Sequence, residues 1–136
     1  MTQNELELWI KNNEGLSLKY YSDSLGHGTI GWGRDIQDCG IRLDEAEFMF
    51  QNDLKQATQE LEKYNWYTIQ PQGVKCALIN MNFNLGITKL LEFHGMISAL
   101  EKKNYVLAAK MALDSLWAKQ VHDRASQIAL MIRDGE

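Results

Sequence analysis

Cysteine is scarce in this 136-residue sequence: Cys39 and Cys76 are the only two. They are too few for a disulfide framework and lack metal-site spacing, so both are expected reduced, one near a loop and one in a helix. Histidine is equally thin. His27, His94 and His122 are scattered with no His-x-x-x-His or Cys-His cluster, so no metal site is expected and zinc-dependent hydrolysis has no ligands to use. No apolar run approaches the roughly 18 residues that a transmembrane helix needs, and no membrane partner is expected. Residues 1–11 carry acid and no apolar stretch, which reads as no signal peptide and a cytoplasmic location. Basic residues are not in excess either. Net charge is −4; residues 1–64 hold 6 basic and 12 acidic side chains and residues 65–136 hold 8 and 6. Nucleic acid is therefore not the expected partner, since phosphate binding is led by clustered Lys and Arg. No repeat, linker or low-complexity segment divides the chain. A hydrophobic content of 45% and a charged fraction of 24% are ordinary for one globular domain.

What is abundant is glycine in one place. Four of the ten glycines, Gly26, Gly28, Gly31 and Gly33, fall within eight residues, as tight turns or a close backbone approach to a ligand require. Around them three polar residues are spaced in a pattern: Glu14, Asp23 after eight intervening residues, and Thr29 after five more. Leu6, Trp9 and Ile10 fall at helical spacing, Thr2 with Glu5 makes a capping-box pattern, and Gly15 supplies the stop. Glu14 thus lies at the carboxyl end of a helix, where the macrodipole is negative and a proton donor is well placed. Beyond Gly15 the period changes to two, with Leu16, Leu18 and Tyr20 alternating against Ser17, Lys19 and Tyr21, which predicts a strand. Ser22 to Gly28 is turn-rich and Thr29 to Gly33 suits a return strand, giving a hairpin with Asp23 at its turn. The run Gly26 to Gly31 formally fits G-x-G-x-x-G, but no helix opens after it, so a dinucleotide site is excluded. Taken singly, each residue fits a helix-capping Glu, a turn Asp and a glycine-rich hairpin. Their joint spacing does not.

The run Glu-Gly-Leu-x-Leu-Lys-x-Tyr-x-Asp from Glu14, followed by Thr-Ile-Gly-x-Gly from Thr29, resembles the active-site signature of the phage-type lysozymes of glycoside hydrolase family 24. The resemblance implies Glu14 as the catalytic acid, Asp23 as the catalytic carboxylate, and Thr29 as a residue that helps hold the attacking water. It extends through Ala-Leu-Ile-Asn-Met-Asn-Phe-Asn-Leu-Gly (77–86) to Trp117, Arg124-Ala and Arg133-Asp-Gly. Trp32, Phe83 and Arg124 are then substrate-binding or supporting residues, with Arg124 approaching the catalytic Glu. Arg34 stands where many members carry His, and Asp53 is its expected partner.

The rest of the chain reads as helical. Residues 35–40 form a loop, and 41–43 add a short strand or lead into a helix. From Asp44 to Tyr64 one stripe (Ala46, Phe50, Leu54, Ala57, Leu61) persists with no Gly or Pro inside. Arg42 is a poor N-cap for it, although Asp44, Glu45 and Glu47 suit its first turn. Asn65 to Ile69 breaks the pattern, Pro71 opens a helix that Gly86 stops, and shorter helices near 93–102, 105–113 and 122–133 follow, with breaks near Gly95, Asn104 and Ser115. Leu78, Met81, Leu85 and Trp117 are read as core.

The expected fold is α+β, mostly helical and lysozyme-like: a small β-hairpin lobe (13–43), a connecting helix (44–64) and a helical lobe (65–136) on which helix 2–13 packs. The resemblance implies a muramidase that needs no cofactor and cleaves bacterial peptidoglycan with inversion. It implies a monomer that lyses bacteria from the host cytoplasm, reaching the wall through a release partner. The acidic first half departs from the strongly basic lysozymes, whose charge helps them find an anionic wall. A lytic transglycosylase or chitinase of the same fold, a non-catalytic wall-binding protein and a helical interaction protein remain as alternatives.

Overall fold

In the computed structural model, which describes residues 1–136, Thr2 opens the first helix, α1 (Gln3–Glu14), with a reciprocal cap. Glu5 N donates to Thr2 Oγ1 (3.2 Å) and Thr2 N donates to Glu5 Oε2 (2.7 Å), satisfying two amides that the helix leaves unpaired. Gly15 ends it at φ +71°, a backbone region that side-chain-bearing residues avoid. A three-stranded antiparallel sheet follows in the order β1 (Ser17–Ser22), β2 (Gly28–Gly31), β3 (Arg34–Asp35). Tyr21 pairs with Thr29 and Ser22 with Gly28, and the register shifts between Ser17 and Tyr21.

The hairpin is where the sequence placed it, but its apolar face is turned outward. Leu16, Leu18 and Tyr20 are 54%, 82% and 64% exposed, while Ser17 and Tyr21 are half-buried. A strand's alternation marks two faces without saying which one is covered. Here buried Gly28 and Thr29 set the register, and Tyr21 lies opposite Thr29.

Residues 35–40 are not a plain loop. Asp35 ends β3 and caps a one-turn helix, α2 (Ile36–Cys39), by accepting the Asp38 amide at 3.1 Å. Four residues are too few for a readable period. No strand forms at 41–43; instead α3 (Leu43–Glu62) begins there, and Glu45 Oε1 accepts the Arg42 amide at 2.9 Å where a Ser or Thr cap is missing.

The chain forms two compact units, residues 1–48 and 49–136, with α3 running across the boundary. In the second, the expected break at 65–69 is a short helix, α4 (Asn65–Thr68), with Trp66 and Tyr67 buried. Pro71 immediately precedes α5 (Gln72–Leu85), and Gly86 stops it at φ +82°. Five helices then follow: α6 (Ile87–Leu90), α7 (His94–Glu101), α8 (Tyr105–Leu113), α9 (Leu116–Val121) and α10 (Asp123–Asp134). Asn104 and Ser115 are breaks because each caps the helix after it, accepting from Leu107 and Ala118 amides. Gly95 is not a break. It lies inside α7, and a methyl group there would meet Met111 Cε at 2.7 Å, so its bareness lets α8 approach.

The core belongs to the second unit. α10 packs on α8 and α5, and α7 on α8, burying Leu61, Leu78, Met81, Leu90, Met96, Leu100, Ile128 and Ile132 completely. Leu78 and Met81 are core as expected, and Leu85 packs against them partly buried. Each such side chain contributes about 1.5–3 kcal/mol of burial. Two polar side chains are buried with the core: Gln70 donates to the carbonyls of Trp66 (2.6 Å) and Leu100 (2.9 Å) and accepts from the Tyr105 hydroxyl (2.8 Å), while Asn82 donates to the Ala57 carbonyl (2.9 Å) and leaves its Oδ1 without a partner. No helix is long and apolar enough to cross a membrane.

Candidate active site

Glu14 is the last residue of α1, and its exposed side chain borders a recess of about 260 Å³ with Gly15, Leu16, Ser17 and Tyr21. Its carboxyl lies directly over Gly33. A methyl group at position 33 would overlap Oε2 and sit 2.8 Å from Cδ, and Gly33 has φ +73°. The second glycine of Thr-Ile-Gly-x-Gly is thus both a turn and the floor on which Glu14 rests.

Asp23 is held by the loop that follows β1. Its Oδ1 accepts the amides of Leu25 (2.9 Å) and His27 (2.8 Å), its own amide donates to the His27 carbonyl (2.9 Å), and the Gly26 amide donates to its carbonyl (3.0 Å). One carboxylate oxygen is therefore fixed and the other, Oδ2, accepts no hydrogen bond. Thr29 begins its turn toward the same loop: nearly buried, it donates its hydroxyl to the His27 carbonyl at 2.9 Å, which leaves its oxygen lone pairs to accept from water. The neighbouring Gly28 amide donates to Gln37 Oε1 (3.0 Å), tying the loop to α2.

Arg34 does not pair with Asp53. Its Nη1 donates to Glu45 Oε1, which also accepts the Arg42 amide. That guanidinium, with the Arg42 amide next, holds the Glu45 carboxyl at a pKa of about 2, and Glu45 in turn raises Arg34 above the usual arginine value. Asp53 borders a separate hollow of about 250 Å³ with Gln56, Glu60, Asn82 and Phe83. A carboxylate eleven residues away in sequence could not be ranked against one nineteen away without the turn between them. Trp32, half-exposed, carries the Lys11 ammonium 4.4 Å from its ring centroid, a cation–π contact.

His27 is the residue whose place the sequence did not show. Its ring Nδ1 lies 3.5 Å from Asp35 Oδ2 and 3.8 Å from Asp23 Oδ2. The Asp35 carboxyl sits below the usual carboxylate range, chiefly because the Asp38 amide bonds to it. Donor atoms of His27, Asp35 and Asp38 all fall within 4.8 Å of one another. The α2 cap brings Asp35 and Asp38 together, and the proximity carries no metal assignment. The only signal in the sequence was the position of His27 inside the Asp23-to-Thr29 interval.

Glu14, Asp23, Thr29 and Trp32 all belong to the first unit, whereas Phe83 and Arg124 belong to the second. Phe83 is 38% exposed, its ring tilted against that of Phe50 at 5.6 Å. Arg124 donates from Nε to Asn80 Oδ1 (2.9 Å) and from Nη2 to the Asn80 carbonyl (3.3 Å), which fixes the guanidinium on α5. Trp117 is buried, donates to Asn84 Oδ1 at 2.7 Å and meets Phe93 edge-on, as its reading as core required. A larger cavity, about 640 Å³, opens on this unit beside Phe93, Trp117, His94, Asp114 and Gln120. It has volume but not the fixed carboxylate, hydroxyl and turn-seated carboxyl of the first unit, so the chemistry places the candidate site there.

Two kinds of comparison with known proteins bear on the family of this chain. The central spike protein Gp5 of Enterobacteria phage T4, a pre-baseplate component, is 26% identical over 93% of this chain. The match spans only 27% of that protein's length. Two proteins of Dictyostelium discoideum, probable T4-type lysozymes 1 and 2, are 27% and 24% identical, each over 93% of this chain and 92% of their own. The family model described as phage lysozyme matches residues 11–133, which include the Glu14 turn, the Asp23 loop and every helix of the core, and the chain therefore belongs to the phage lysozyme family.

Proposed function

We propose that the protein is a peptidoglycan hydrolase that cleaves the β-1,4 bond between N-acetylmuramic acid and N-acetylglucosamine. The observation that carries this reading is the unequal treatment of two carboxyl groups in one unit. Asp23 has one oxygen fixed by two amides and the other open to a ligand, while Glu14, exposed, rests over bare backbone at the carboxyl end of α1. In the proposed reaction Glu14 gives its proton to the glycosidic oxygen as the bond to the anomeric carbon breaks. Water, oriented by Asp23 Oδ2 and the Thr29 oxygen, forms the new bond from the far face, and its proton passes to Asp23. Attack by water rather than by Asp23 gives inversion. Trp32, Phe83 and Arg124 are proposed to support the sugar or its neighbours.

Products of digested, purified peptidoglycan distinguish this reading by mass. A new reducing-end muramic acid is expected. A reducing-end glucosamine or an anhydro sugar would instead identify a glucosaminidase or a transglycosylase, and binding without new ends would leave a wall-binding protein. Glu14→Gln keeps the shape and removes the transferable proton, so lysis is expected to fall by at least about a hundredfold with the melting temperature unchanged. Parent-rate clearing by that variant would overturn the assignment. We further propose a monomer that acts from the host bacterial cytoplasm through a release partner; fractionating lysing cells with and without a pore-forming partner tests the route.

A further inference from the structure

One residue touches both groups assigned to the water. The His27 amide donates to Asp23 Oδ1, and its carbonyl accepts from the Asp23 amide and from the Thr29 hydroxyl, all between 2.8 and 2.9 Å. Those are main-chain contacts, which many residue types would supply. The ring adds something that they do not. Its Nδ1 lies 3.8 Å from Asp23 Oδ2, the oxygen without a hydrogen bond, and 3.5 Å from Asp35 Oδ2. Asp35 cannot swing freely, because its Oδ1 accepts the Asp38 amide as the cap of α2. The imidazole nitrogen thus lies between the Oδ2 atoms of two carboxylates, each tethered through its Oδ1, at ion-pair rather than hydrogen-bond distance from both.

We propose that His27 is a positioning residue: its imidazole, anchored on Asp35, holds Asp23 Oδ2 in the orientation that directs the attacking water. The role rests on the hydrolase reading above and adds to it the group that sets the geometry of the water's acceptor. Titratable groups around the ring are Asp23 from the loop after β1, Asp35 from the end of β3 and Asp38 from α2; the Tyr20 phenol of β1 packs over the next residue in the chain, Gly28. None of these is a cation, and Arg34 is committed to Glu45. Without the ring two carboxylates share the space with no donor between them. Like charges repel, and both carboxylates are held only through their Oδ1 atoms, so the repulsion falls on the two Oδ2 atoms, that of Asp23 included. A misplacement of an ångström at such a group costs turnover far more than binding.

The test compares the parent with His27→Ala, which keeps every main-chain bond, and His27→Asn, which keeps a donor near the position of Nδ1. On soluble peptidoglycan fragments His27→Ala is expected to lower kcat about tenfold with KM unchanged. Free imidazole should restore part of that loss, and His27→Asn should retain most of the parent kcat. Matching melting temperatures establish that the fold is intact. A second readout needs no substrate: the Asp23 ¹³Cγ resonance should respond when the imidazole titrates in the parent and lose that response in His27→Ala. Parent-like kcat in His27→Ala overturns the proposal. So does an equal loss in both variants without imidazole rescue, or a parent Asp23 resonance indifferent to the imidazole. A parent protein that releases no new sugar ends overturns the hydrolase reading and the water's role with it, while the resonance still decides whether His27 holds Asp23.

Discussion

Residues 1–48 bury no apolar side chain, while residues 49–136 bury an entire core, from Ala57 to Ile132. The first unit carries Glu14, Asp23 and Thr29, the residues assigned to the proposed reaction. It is assembled from a capping box, positive-φ glycines, a short sheet, an Asx-type loop and ion pairs. A unit of this size cannot bury enough surface for an independent core. Its contacts are polar and specific, and they fix orientation more than they supply stability. The difference teaches that the site's geometry and the protein's stability are written into separate stretches of chain. Sites tend to occupy the less stable regions of a fold.

The sharpest way to break that comparison is to cut one leucine from each unit. Leu78→Ala, in the core, is expected to cost about 2–5 kcal/mol, whereas Leu18→Ala on the exposed face of β1 should stay within about 0.5 kcal/mol. Urea unfolding of the two variants measures both. A comparable cost at Leu18 would mean that the first unit has a core after all. Gly33→Ala comes next, with about 1–3 kcal/mol of backbone strain at φ +73°. Because the new methyl group would also displace the Glu14 carboxyl, activity should fall much further than thermal stability does. A variant that loses the two in proportion would show that Gly33 matters only as a turn.

Smaller is the cap of α1. Thr2→Ala removes the acceptor for the Glu5 amide and should cost about 1 kcal/mol, read as faster hydrogen exchange in the first turn of α1 and not in the core helices. Smallest is the half-exposed Arg34–Glu45 pair, screened as surface pairs are. The folded Glu45 pKa of about 2 lies below its ordinary value of 4.5. The pair's stabilisation is therefore complete above pH 4.5 and lost as pH falls toward 2. Arg34→Met should flatten that part of the melting-temperature profile. If the parent and variant profiles run parallel there, the pair does not set the acid limb. Asp35, also depressed, moves stability in the same direction and remains in both proteins.

Much was legible before any coordinates. Thr2 with Glu5, Gly15, Pro71 and Gly86 mark helix ends because caps and stops act over four residues. The long helix and the core stripe of α5 follow from periodicity, and the spacing of Glu14, Asp23 and Thr29 from the resemblance it carries. The short helices α2, α4, α6 and α9 were not legible, since four to six residues hold little more than one helical turn and no repeat of it to detect.

Partners distant in sequence belong to the tertiary structure alone. The outward face of β1 was decided by register against Thr29, which hydrophobic alternation cannot supply where no core covers the strand. Arg34 found Glu45 because the start of α3 brings that carboxylate within reach, and Asp53 was an equally acidic candidate on the same helix. His27 became the meeting point of Asp23, Thr29 and Asp35 only once β2 and β3 had paired and α2 had capped on Asp35. Local chemistry is additive along a chain and can be read from it. A shared contact among four residues exists only when separate segments have been brought together by the fold.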